Sequence, residues 1–236
     1  MQIGYRTDIG KSRLTNEDRL LARPPLLAVA DGMGGAQAGE VASEMAIHVL
    51  WEAAPGGEPP QERLKQAILE ANRRIFALAN SDSRCAGMGT TLTAVLLENH
   101  MAYVGHVGDS RAYLVRGQHI RRLTQDQSVV GELMRLGYLS EAEAMVHPQR
   151  NILTQALGTE PHVQVELTQF PIEPGDRLVL CTDGLTSLVQ DGEILDTLRQ
   201  EREPQAAADR LVDLALDRGG YDNVTVVVAY IPPVSG

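Results

Sequence analysis

The sequence predicts an α+β fold in which antiparallel β-sheet is covered by helices. Short apolar segments follow one another through the middle of the chain, amphipathic helical segments arrive in separate blocks, and the two kinds do not alternate regularly. Short connections between consecutive strands favour antiparallel pairing, because a parallel return needs a long crossover. With 236 residues, 43% of them hydrophobic, the chain is long enough for one large core, and we expect a single domain over 1–236.

Helical periodicity predicts the elements of the N-terminal part. Val41, Met45 and Val49 recur at helical spacing within a first helix over 39–53. A second helix presents one apolar face over 64–78. Further on, residues 128 to about 144 are helical and polar, and Ser140 with Glu143 fits a capping box. Helices are also predicted near 193–199 and 206–218.

Strand patterns dominate the rest of the chain. Four consecutive short strands are predicted within 90–98, 101–109, 110–116 and 119–124, with turns at "ENH", "GDS" and "RGQ". Strands resume over 163–170 and 176–183. The last one, "NVTVVVAYI" at 223–231, is almost continuously apolar, which is typical of a strand covered on both faces.

Composition excludes several classes of protein. A net charge of −10 argues against binding to nucleic acid or anionic membranes, and an aromatic content of 4% weakens the case for base stacking. Cys85 and Cys181 have no metal-binding or redox spacing. The amino terminus lacks a signal-peptide core and no apolar run is long enough to span a membrane, so we expect a soluble, cytoplasmic protein.

The stretch "LLAVADGMGG" at 26–35 joins an apolar strand to a glycine-rich turn through Asp31. Glycine lets the main chain approach a ligand closely, so this turn can direct a carboxylate and a bare carbonyl at one point, an arrangement that suits a cation. An ordinary Asp-Gly turn explains the stretch equally well when it is taken alone.

Three further aspartates stand at predicted strand ends, namely Asp109, Asp183 and Asp222. Each one alone is explained by a turn or a helix cap. If the four carboxylates converge, their repulsion must be offset, and a divalent cation does so directly. Because every candidate ligand is an oxygen atom, Mg²⁺ or Mn²⁺ is favoured over Zn²⁺.

The N-terminal stretch "SRLTNEDR" adds Arg13, Glu17 and Asp18. Such a pattern is also typical of a solvated surface. Beside an oxygen-rich metal site, however, the planar guanidinium of Arg13 can hold two oxygens of a phosphate group. A metal and an arginine together favour a phosphate substrate.

Taken in order, these motifs resemble those of the metal-dependent type 2C protein serine/threonine phosphatases, and most of all the compact bacterial type. The resemblance extends from Thr7 to Ile231 and rests on "RLTNED", "VADGMGG", "GMGTT", "HVGDSRAYL", "CTDGL" and "GGYDNVTVVV". It implies a four-layer sandwich, with two central antiparallel β-sheets flanked by α-helices on both sides. It also implies hydrolysis of phosphoserine and phosphothreonine in proteins by a water activated by two metal ions, without a phosphoenzyme.

The resemblance also assigns a metal centre. It implies that Asp31 bridges two ions, Mn²⁺ or Mg²⁺, and that the Gly32 carbonyl binds one of them. Asp183 and Asp222 would complete the protein ligands of the other. The catalytic residues would then be Asp31 and Asp183, together with an arginine that holds the phosphate.

Four other residues match family positions around that centre. Arg13 matches the phosphate-holding arginine, and Glu17 with Asp18 matches an acidic pair that contacts the metals directly or through water. Asp109, with Asp183, matches a weaker third metal site. The implied partners are phosphorylated proteins, including a cognate Ser/Thr kinase, with no nucleic acid, no membrane and a monomeric enzyme.

The chain departs from the family at two positions. Bacterial relatives often carry histidine where this chain has Ala36 and Gln127, and neither of these side chains can donate a proton as an acid. Metal-bound water or another group must then protonate the leaving alkoxide, and His147 is a further candidate for this proton donor.

His147 belongs to a segment at about 128–150 that resembles the variable flap of the family. Its apolar residues Met134, Leu136 and Met145 are expected to anchor it to the core. Arg135 and Arg150 are available to contact a phosphopeptide.

Two other functions remain open on the sequence alone. One is a catalytically silent module that binds phosphorylated proteins, although intact acids at every matched position speak against it. The other is a less selective phosphomonoesterase that acts on small molecules.

Overall fold

The computed structural model describes residues 1–34, 38–53 and 56–232. Ala36, one of the two departures from the family pattern, lies outside these residues. The strands are β1 Gln2–Asp8, β2 Arg19–Arg23, β3 Leu26–Ala30, β4 Gly32–Met33, β5 Gly89–Thr90, β6 Leu92–Glu98, β7 Met101–Val107, β8 Arg111–Arg116, β9 His119–Arg122, β10 Glu166–Pro171, β11 Arg177–Cys181 and β12 Val224–Tyr230. The helices are α1 Ala38–Ala53, α2 Pro60–Ser81, α3 Val129–Arg135, α4 Glu141–Met145, α5 Asp183–Thr186, α6 Asp191–Gln200 and α7 Pro204–Asp217.

Two five-stranded sheets form the centre of the molecule. The first has the order β1-β12-β11-β8-β9 and the second the order β10-β7-β6-β3-β2, while β4 and β5 form a separate two-stranded ladder. Every strand pair is antiparallel. The predicted α+β class is confirmed.

Three apolar clusters show how the layers pack. The cluster between the two sheets contains aliphatic residues of β3, β6, β7, β8, β11 and β12. A second cluster joins the second sheet to α1 and α2, and a third joins the first sheet to α5, α6 and α7. Helix, sheet, sheet and helix therefore form four layers, as the resemblance implied.

Strand β12 shows why its sequence is almost continuously apolar. All seven of its residues are buried. Side chains alternate between the faces of a strand, and here Val227 and Ala229 enter the cluster between the sheets, whereas Val226 and Val228 enter the cluster under the helices. The prediction that both faces are covered is confirmed.

The predicted pairing of the four middle strands is wrong at one point. The turns "ENH" and "RGQ" close the β6–β7 and β8–β9 hairpins. The turn "GDS" does not, because β7 lies in the second sheet and β8 in the first. Gly108, with φ +110°, helps the chain cross between the sheets. Asp109 therefore stands where the two sheets meet.

The flap segment also differs in part from the prediction. Both short helices form, with Ser128 capping α3 and a capping box between Ser140 and Glu143 in α4. Leu136 and Met145 are 65% and 47% exposed, so they do not anchor the segment to the core. Val130 and Ala144 are buried instead.

Among the described residues, no helix is long and apolar enough to cross a membrane.

Candidate active site

The strand register brings the acidic strand ends to one edge of the sandwich. The C-terminal end of β3 lies opposite the start of β6, which lies opposite the end of β7. In the other sheet the end of β11 lies beside the start of β12. A cleft of about 180 Å³ opens there, lined by Arg13, Glu17, Asp31, Gly32, Met33, Gly34, Thr91, Asp109, Asn151, Leu153, Asp183, Asp222 and Asn223.

The structure thus brings together all but one of the site residues that the sequence predicts. The exception is Asp18, which is not part of the cleft wall and lies buried behind it, 1% exposed. Its Oδ2 accepts a hydrogen bond from the Thr182 hydroxyl at 2.8 Å. Its Oδ1 is buried without a hydrogen-bond partner among the described residues.

A hydroxyl network fixes the backbone of Asp31. Its N–H donates to Thr91 Oγ1 at 2.9 Å, and its carbonyl accepts from the Thr91 N–H and the Thr90 hydroxyl, both at 2.9 Å. Thr91 Oγ1 in turn lies 2.7 Å from Ser110 Oγ. The threonines of "GMGTT" therefore hold the end of β3 in place.

Gly32 shows why the turn after Asp31 needs glycine. A Cβ atom there would lie 2.2 Å from the carbonyl oxygen of Gly39 at the start of α1. A Cβ atom on Gly39 would lie 2.7 Å from Glu17 Oε2. The sequence analysis attributed the glycines of the turn after Asp31 to close approach by a ligand, but the atoms nearest to a Cβ position on Gly32 are protein atoms. The arrangement leaves the main chain of Gly32 on the cleft wall.

Asp183 and Asp222 are held together by the junction of β11, α5 and β12. The Thr182 N–H donates to the Thr225 carbonyl at 3.1 Å, and the Thr225 N–H donates to Thr182 Oγ1 at 3.0 Å. Beside them, a Cβ atom on Gly184 would lie 1.9 Å from the Asn223 carbonyl oxygen. The two aspartates thus flank a contact with no space for a larger residue.

Asn223 fastens the N-terminal loop to this junction. Its Oδ1 accepts from the Glu17 N–H at 2.9 Å, and its Nδ2 donates to the carbonyls of Ile9 and Thr15 at 3.0 and 2.9 Å. The Ser43 hydroxyl donates to the Glu17 carbonyl at 2.5 Å. Sequence reasoning missed Asn223, although it directly follows Asp222.

Arg13 reaches the cleft from the same loop. Its Nη2 donates to Asp222 Oδ2 at 2.7 Å, and this hydrogen bond, together with the nearby carboxylates, raises the pKa of Arg13. The side chain is still 53% exposed. It is the only basic side chain among the described residues of the cleft wall.

The acidic side chains are electrostatically unfavourable as they stand. Burial, followed by neighbouring carboxylates, raises the pKa of Asp31 and of Asp109 well above the ordinary value. Burial and Asp222 raise the pKa of Asp183, although a hydrogen bond with Asp31 opposes this. Burial raises the pKa of Asp18 to about 7. A bound cation would relieve this repulsion.

The donor set fits a particular kind of cation. In the part of the chain that the structure describes, no group of three or more Asp, Glu, His or Cys side chains is arranged to hold a metal ion by itself. Structural zinc sites need such a set. Mg²⁺ and related hard ions keep several waters and use one or two carboxylates. The buried, unpartnered Oδ1 of Asp18 and the carboxylates of Asp31 and Asp183 fit an ion of this second kind.

Gln127, which stands where relatives often carry histidine, and His147, the histidine considered as a proton donor, are both absent from the cleft wall. Gln127 Oε1 accepts from the Gly108 N–H at 2.9 Å, and the Gln127 N–H donates to the Gly108 carbonyl at 2.7 Å. Gln127 thus holds the turn that carries Asp109. His147 accepts a hydrogen bond from the Gln149 N–H within its own segment, and no described histidine lines the cleft.

His106, in β7, is a core residue. It is fully buried, with Nδ1 2.8 Å from Thr93 Oγ1 and Nε2 3.1 Å from the Gln125 carbonyl. His48 lies on α1 with its side chain 67% exposed.

An acidic cleft with oxygen ligands and one arginine, at the edge of two packed antiparallel sheets, is typical of a metal-dependent hydrolase of phosphate esters. The chain belongs to the protein phosphatase 2C family, whose model matches residues 11–216. The motif order read from the sequence is therefore confirmed as a family signature.

Individual relatives are similar to this chain over nearly its full length. It is 40% identical to the serine/threonine phosphatase stp of Listeria welshimeri, covering 97% of this chain and 95% of the relative. The crystal structure of the serine/threonine phosphatase PstP/Ppp of Mycobacterium tuberculosis is 41% identical, with a TM-score of 0.92 and 98% coverage of both chains. A PstP catalytic domain solved in complex with two manganese ions is 38% identical, with a TM-score of 0.90 and 98% coverage of both chains.

Proposed function

We propose that this chain is a metal-dependent protein phosphatase that hydrolyses phosphoserine and phosphothreonine in proteins. Membership of the family and the names of its relatives support this activity. The observation that carries it is the convergence of Asp31, Asp183 and Asp222 on one cleft with Arg13. A catalytically inactive binding module would have no chemical reason to keep carboxylates that repel one another in the folded protein.

We further propose that the acidic cleft holds two divalent ions, Mn²⁺ or Mg²⁺. Asp31 and the Gly32 carbonyl, with Asp183 and Asp222, would supply the protein ligands, while Glu17 and Asp18 would act directly or through water. Asp109 with Asp183 would form a weaker third site. When bound, two such ions supply a water nucleophile near neutral pH and stabilise charge on the phosphoryl group. The two manganese ions of the PstP structure support this number.

The chain's own residues would bind and orient the substrate. Arg13 can hold phosphate oxygens, because its guanidinium presents several donors in one plane and only one of its contacts, with Asp222, is fixed. The hydroxyls of Thr91 and Ser110 keep Asp31 in place during this binding. Positioning of this kind lowers the entropic part of the barrier.

We propose that residues 1–236 act as one catalytic domain and that residues at about 128–150 act as a flap over the cleft. Ser128 pairs with Leu153, which lines the cleft, so the base of this segment adjoins the site. Its exposed residues include Leu136, Tyr138 and Arg150. Such a surface can contact the polypeptide around a phosphorylated residue.

The proposed partners are phosphorylated proteins, including a cognate Ser/Thr kinase. The names of the relatives support phosphoprotein substrates. A monomeric, cytoplasmic enzyme stays a prediction from the sequence.

One assay tests the activity. Purified protein with Mn²⁺, with Mg²⁺ or with a chelator is offered a phosphothreonine peptide, a phosphotyrosine peptide and p-nitrophenyl phosphate. We expect metal-dependent release of phosphate with preference for the phosphothreonine peptide, and its loss in Asp183→Asn. Asp217→Asn, an exposed change on α7, is the matched control and should retain activity.

Other outcomes would overturn the proposal. Tight peptide binding without turnover would indicate a silent binding module, and equal turnover of all three substrates would indicate a general phosphomonoesterase. Activity that persists with chelator and in Asp183→Asn would exclude the metal centre.

A further inference from the structure

A second and larger cavity lies on the flank of the molecule. It has a volume of about 400 Å³ and is bordered by β1, β2 and α1. Among the described residues it shares no lining residue with the acidic cleft. We call it the flank groove. Its wall is mainly apolar and includes Tyr5, Leu20, Ile47 and Trp51, of which Tyr5 and Trp51 are 52% and 40% exposed.

The flank groove follows the open edge of a sheet. It touches all five consecutive residues of β2, Arg19 to Arg23. Since successive side chains point to opposite faces, a cavity that borders every residue must run along the strand's edge. Strand β2 is the terminal strand of its sheet and pairs only with β3. Its outer N–H and C=O groups can therefore pair with another strand.

Beside Trp51, the charge of the groove comes from a guanidinium that has no ion pair among the described residues. Arg23 lies over the Trp51 ring at 5.5 Å and makes no ion pair or hydrogen bond with the described residues. Arg19 is committed to Glu40 and to the carbonyls of Asn16 and Asp18.

Glu44, the only acidic side chain on the described wall, precedes Trp51 by seven residues on α1, which is about two helical turns, so Arg23 sets the charge beside Trp51. In a chain of net charge −10, an unpaired arginine beside an exposed tryptophan favours an anionic, partly apolar partner.

We propose that the flank groove binds an extended, acidic segment of a partner protein, which adds a strand to β2. Main-chain hydrogen bonds to the edge of β2 would supply affinity, an apolar side chain of the segment would pack against Trp51 and Ile47, and a carboxylate two residues away would pair with Arg23. Addition of a strand to an open sheet edge is a general mode of peptide recognition. The proposal is independent of the catalytic activity.

The test uses synthetic peptides and the intact protein. The probe is an acetylated, fluorescein-labelled heptapeptide of alternating valine and threonine with one phenylalanine and an aspartate two residues from it. Binding is followed by fluorescence anisotropy and by the emission of Trp51, which is the only tryptophan in the chain. We expect saturable binding that changes Trp51 emission.

Three peptide controls separate the parts of the proposal. Replacing the aspartate by lysine should weaken binding at least tenfold, and N-methylation of alternate backbone amides should abolish it. Sodium benzoate, an aromatic carboxylate without a backbone, should not compete at concentrations that exceed that of the peptide a thousandfold.

The matched protein variants are Arg23→Glu and Arg121→Glu. Arg121 also lies over an aromatic ring, that of Phe170 at 4.4 Å, but on another surface. We expect Arg23→Glu to weaken binding at least tenfold and Arg121→Glu to leave it unchanged. Arg23→Gln, which removes the charge without reversing it, provides a second variant, and thermal unfolding of each verifies the fold.

Three results would overturn the proposal: no saturable binding, equal binding by Arg23→Glu and the unchanged protein, or competition by benzoate that matches the peptide. The last would make the groove a small-molecule pocket.

Discussion

The position of a single carboxylate, that of Asp31, depends on Ser110, a fully buried residue that is not part of the cleft wall. Ser110 contacts Thr91 Oγ1, which accepts the Asp31 N–H. We predict that Ser110→Ala costs about 1–3 kcal/mol of unfolding free energy, because Thr91 loses a buried hydrogen-bond partner. Asp31 should also become less well positioned, so the Mn²⁺ concentration needed for half-maximal activity should rise several-fold. Denaturant unfolding and metal titration of the activity measure the two effects.

A matched control distinguishes positioning from general stability. Tyr230 is buried and donates a hydrogen bond to the Glu201 carbonyl at 3.0 Å, in the first sheet and away from the cleft. Tyr230→Phe should also destabilise the protein but leave the Mn²⁺ requirement unchanged. An equal shift in metal requirement in both variants would contradict a positioning role for Ser110.

His106 gives the fold a defined pH dependence. Burial lowers the pKa of His106 to about 4, whereas the unfolded value is about 6.5. Between these values the unfolded chain binds a proton that the folded chain does not, so this residue's contribution to stability is lost as the pH falls from about 6.5 towards 4. The loss reaches about 3 kcal/mol.

We expect His106→Gln to remove this dependence, measured as the difference between its unfolding free energy and that of the unchanged protein from pH 7 to 4.5. The difference isolates His106, because buried carboxylates with raised pKa values act in the opposite direction in both proteins. His119→Gln, at an exposed position on β9, should leave the pH dependence as it is. Parallel curves for His106→Gln and the unchanged protein would contradict the assignment.

At the scale of elements, the contact between α5 and β12 sets the spacing of two acidic residues. A Cβ atom on Gly184 would lie 1.9 Å from the carbonyl oxygen of Asn223. We predict that Gly184→Ala separates the two elements, costs about 1–3 kcal/mol and lowers metal-dependent activity. Gly192, in α6, has no atom within 4 Å of a Cβ position. Gly192→Ala should therefore be neutral or stabilise by up to about 1 kcal/mol. Chemical denaturation measures the unfolding free energy of both variants. An unchanged unfolding free energy in Gly184→Ala would contradict this close packing of α5 against β12.

Strongly periodic elements could be predicted from the sequence, whereas β1 and β2 were missed. The buried residue of β1 is Gly4. A Cβ atom on Gly4 would lie 2.2 Å from the backbone nitrogen of Gln205, so the absence of a side chain makes room for α7. A glycine gives no apolar signal, so the strand is recognisable only from its contact with α7. Strand β2 is five residues long with an arginine at each end, which conceals its apolar centre.

The crossing at "GDS" could not be predicted for a different reason. Local pattern favours pairing between strands joined by a short turn, but whether β7 and β8 share a sheet depends on their neighbours elsewhere in the chain. Strand β8 pairs with β11, more than sixty residues away in sequence. Only the assembled sheets show that Asp109 lies between them.

At the scale of the whole molecule, the acidic residues at the strand ends could be predicted from the sequence as a set. The residues that hold them in place could not. An aspartate after an apolar strand is visible in the sequence, and four of them suggest a common site. The supporting roles of Thr91, Asn223 and Gln127 depend on partners that are distant in sequence, such as Gln127 with Gly108. Arg13 was predicted as a phosphate ligand, and its tether to Asp222 emerged only from the fold.

The same acidic set links metal binding to the stability of the whole fold. Burial and mutual repulsion raise the pKa of Asp31 and Asp183, so the metal-free protein carries an unfavourable charge density that Mn²⁺ would neutralise. A ligand that binds only the folded state at a hundredfold excess over Kd stabilises it by about 2.7 kcal/mol. We therefore predict a rise in the thermal midpoint with Mn²⁺ that NaCl at equal ionic strength does not reproduce, since salt only screens exposed charges.

Replacing one carboxylate separates repulsion from binding. Asp31→Asn keeps the shape of the side chain but removes its charge, so the midpoint of the metal-free protein should rise, while the increase caused by Mn²⁺ should largely disappear. Differential scanning calorimetry of both proteins, with chelator and with Mn²⁺, measures the two effects. A variant that is less stable without metal, or that gains as much from Mn²⁺ as the unchanged protein, would show that Asp31 does not lie at the centre of the charge that the metal neutralises.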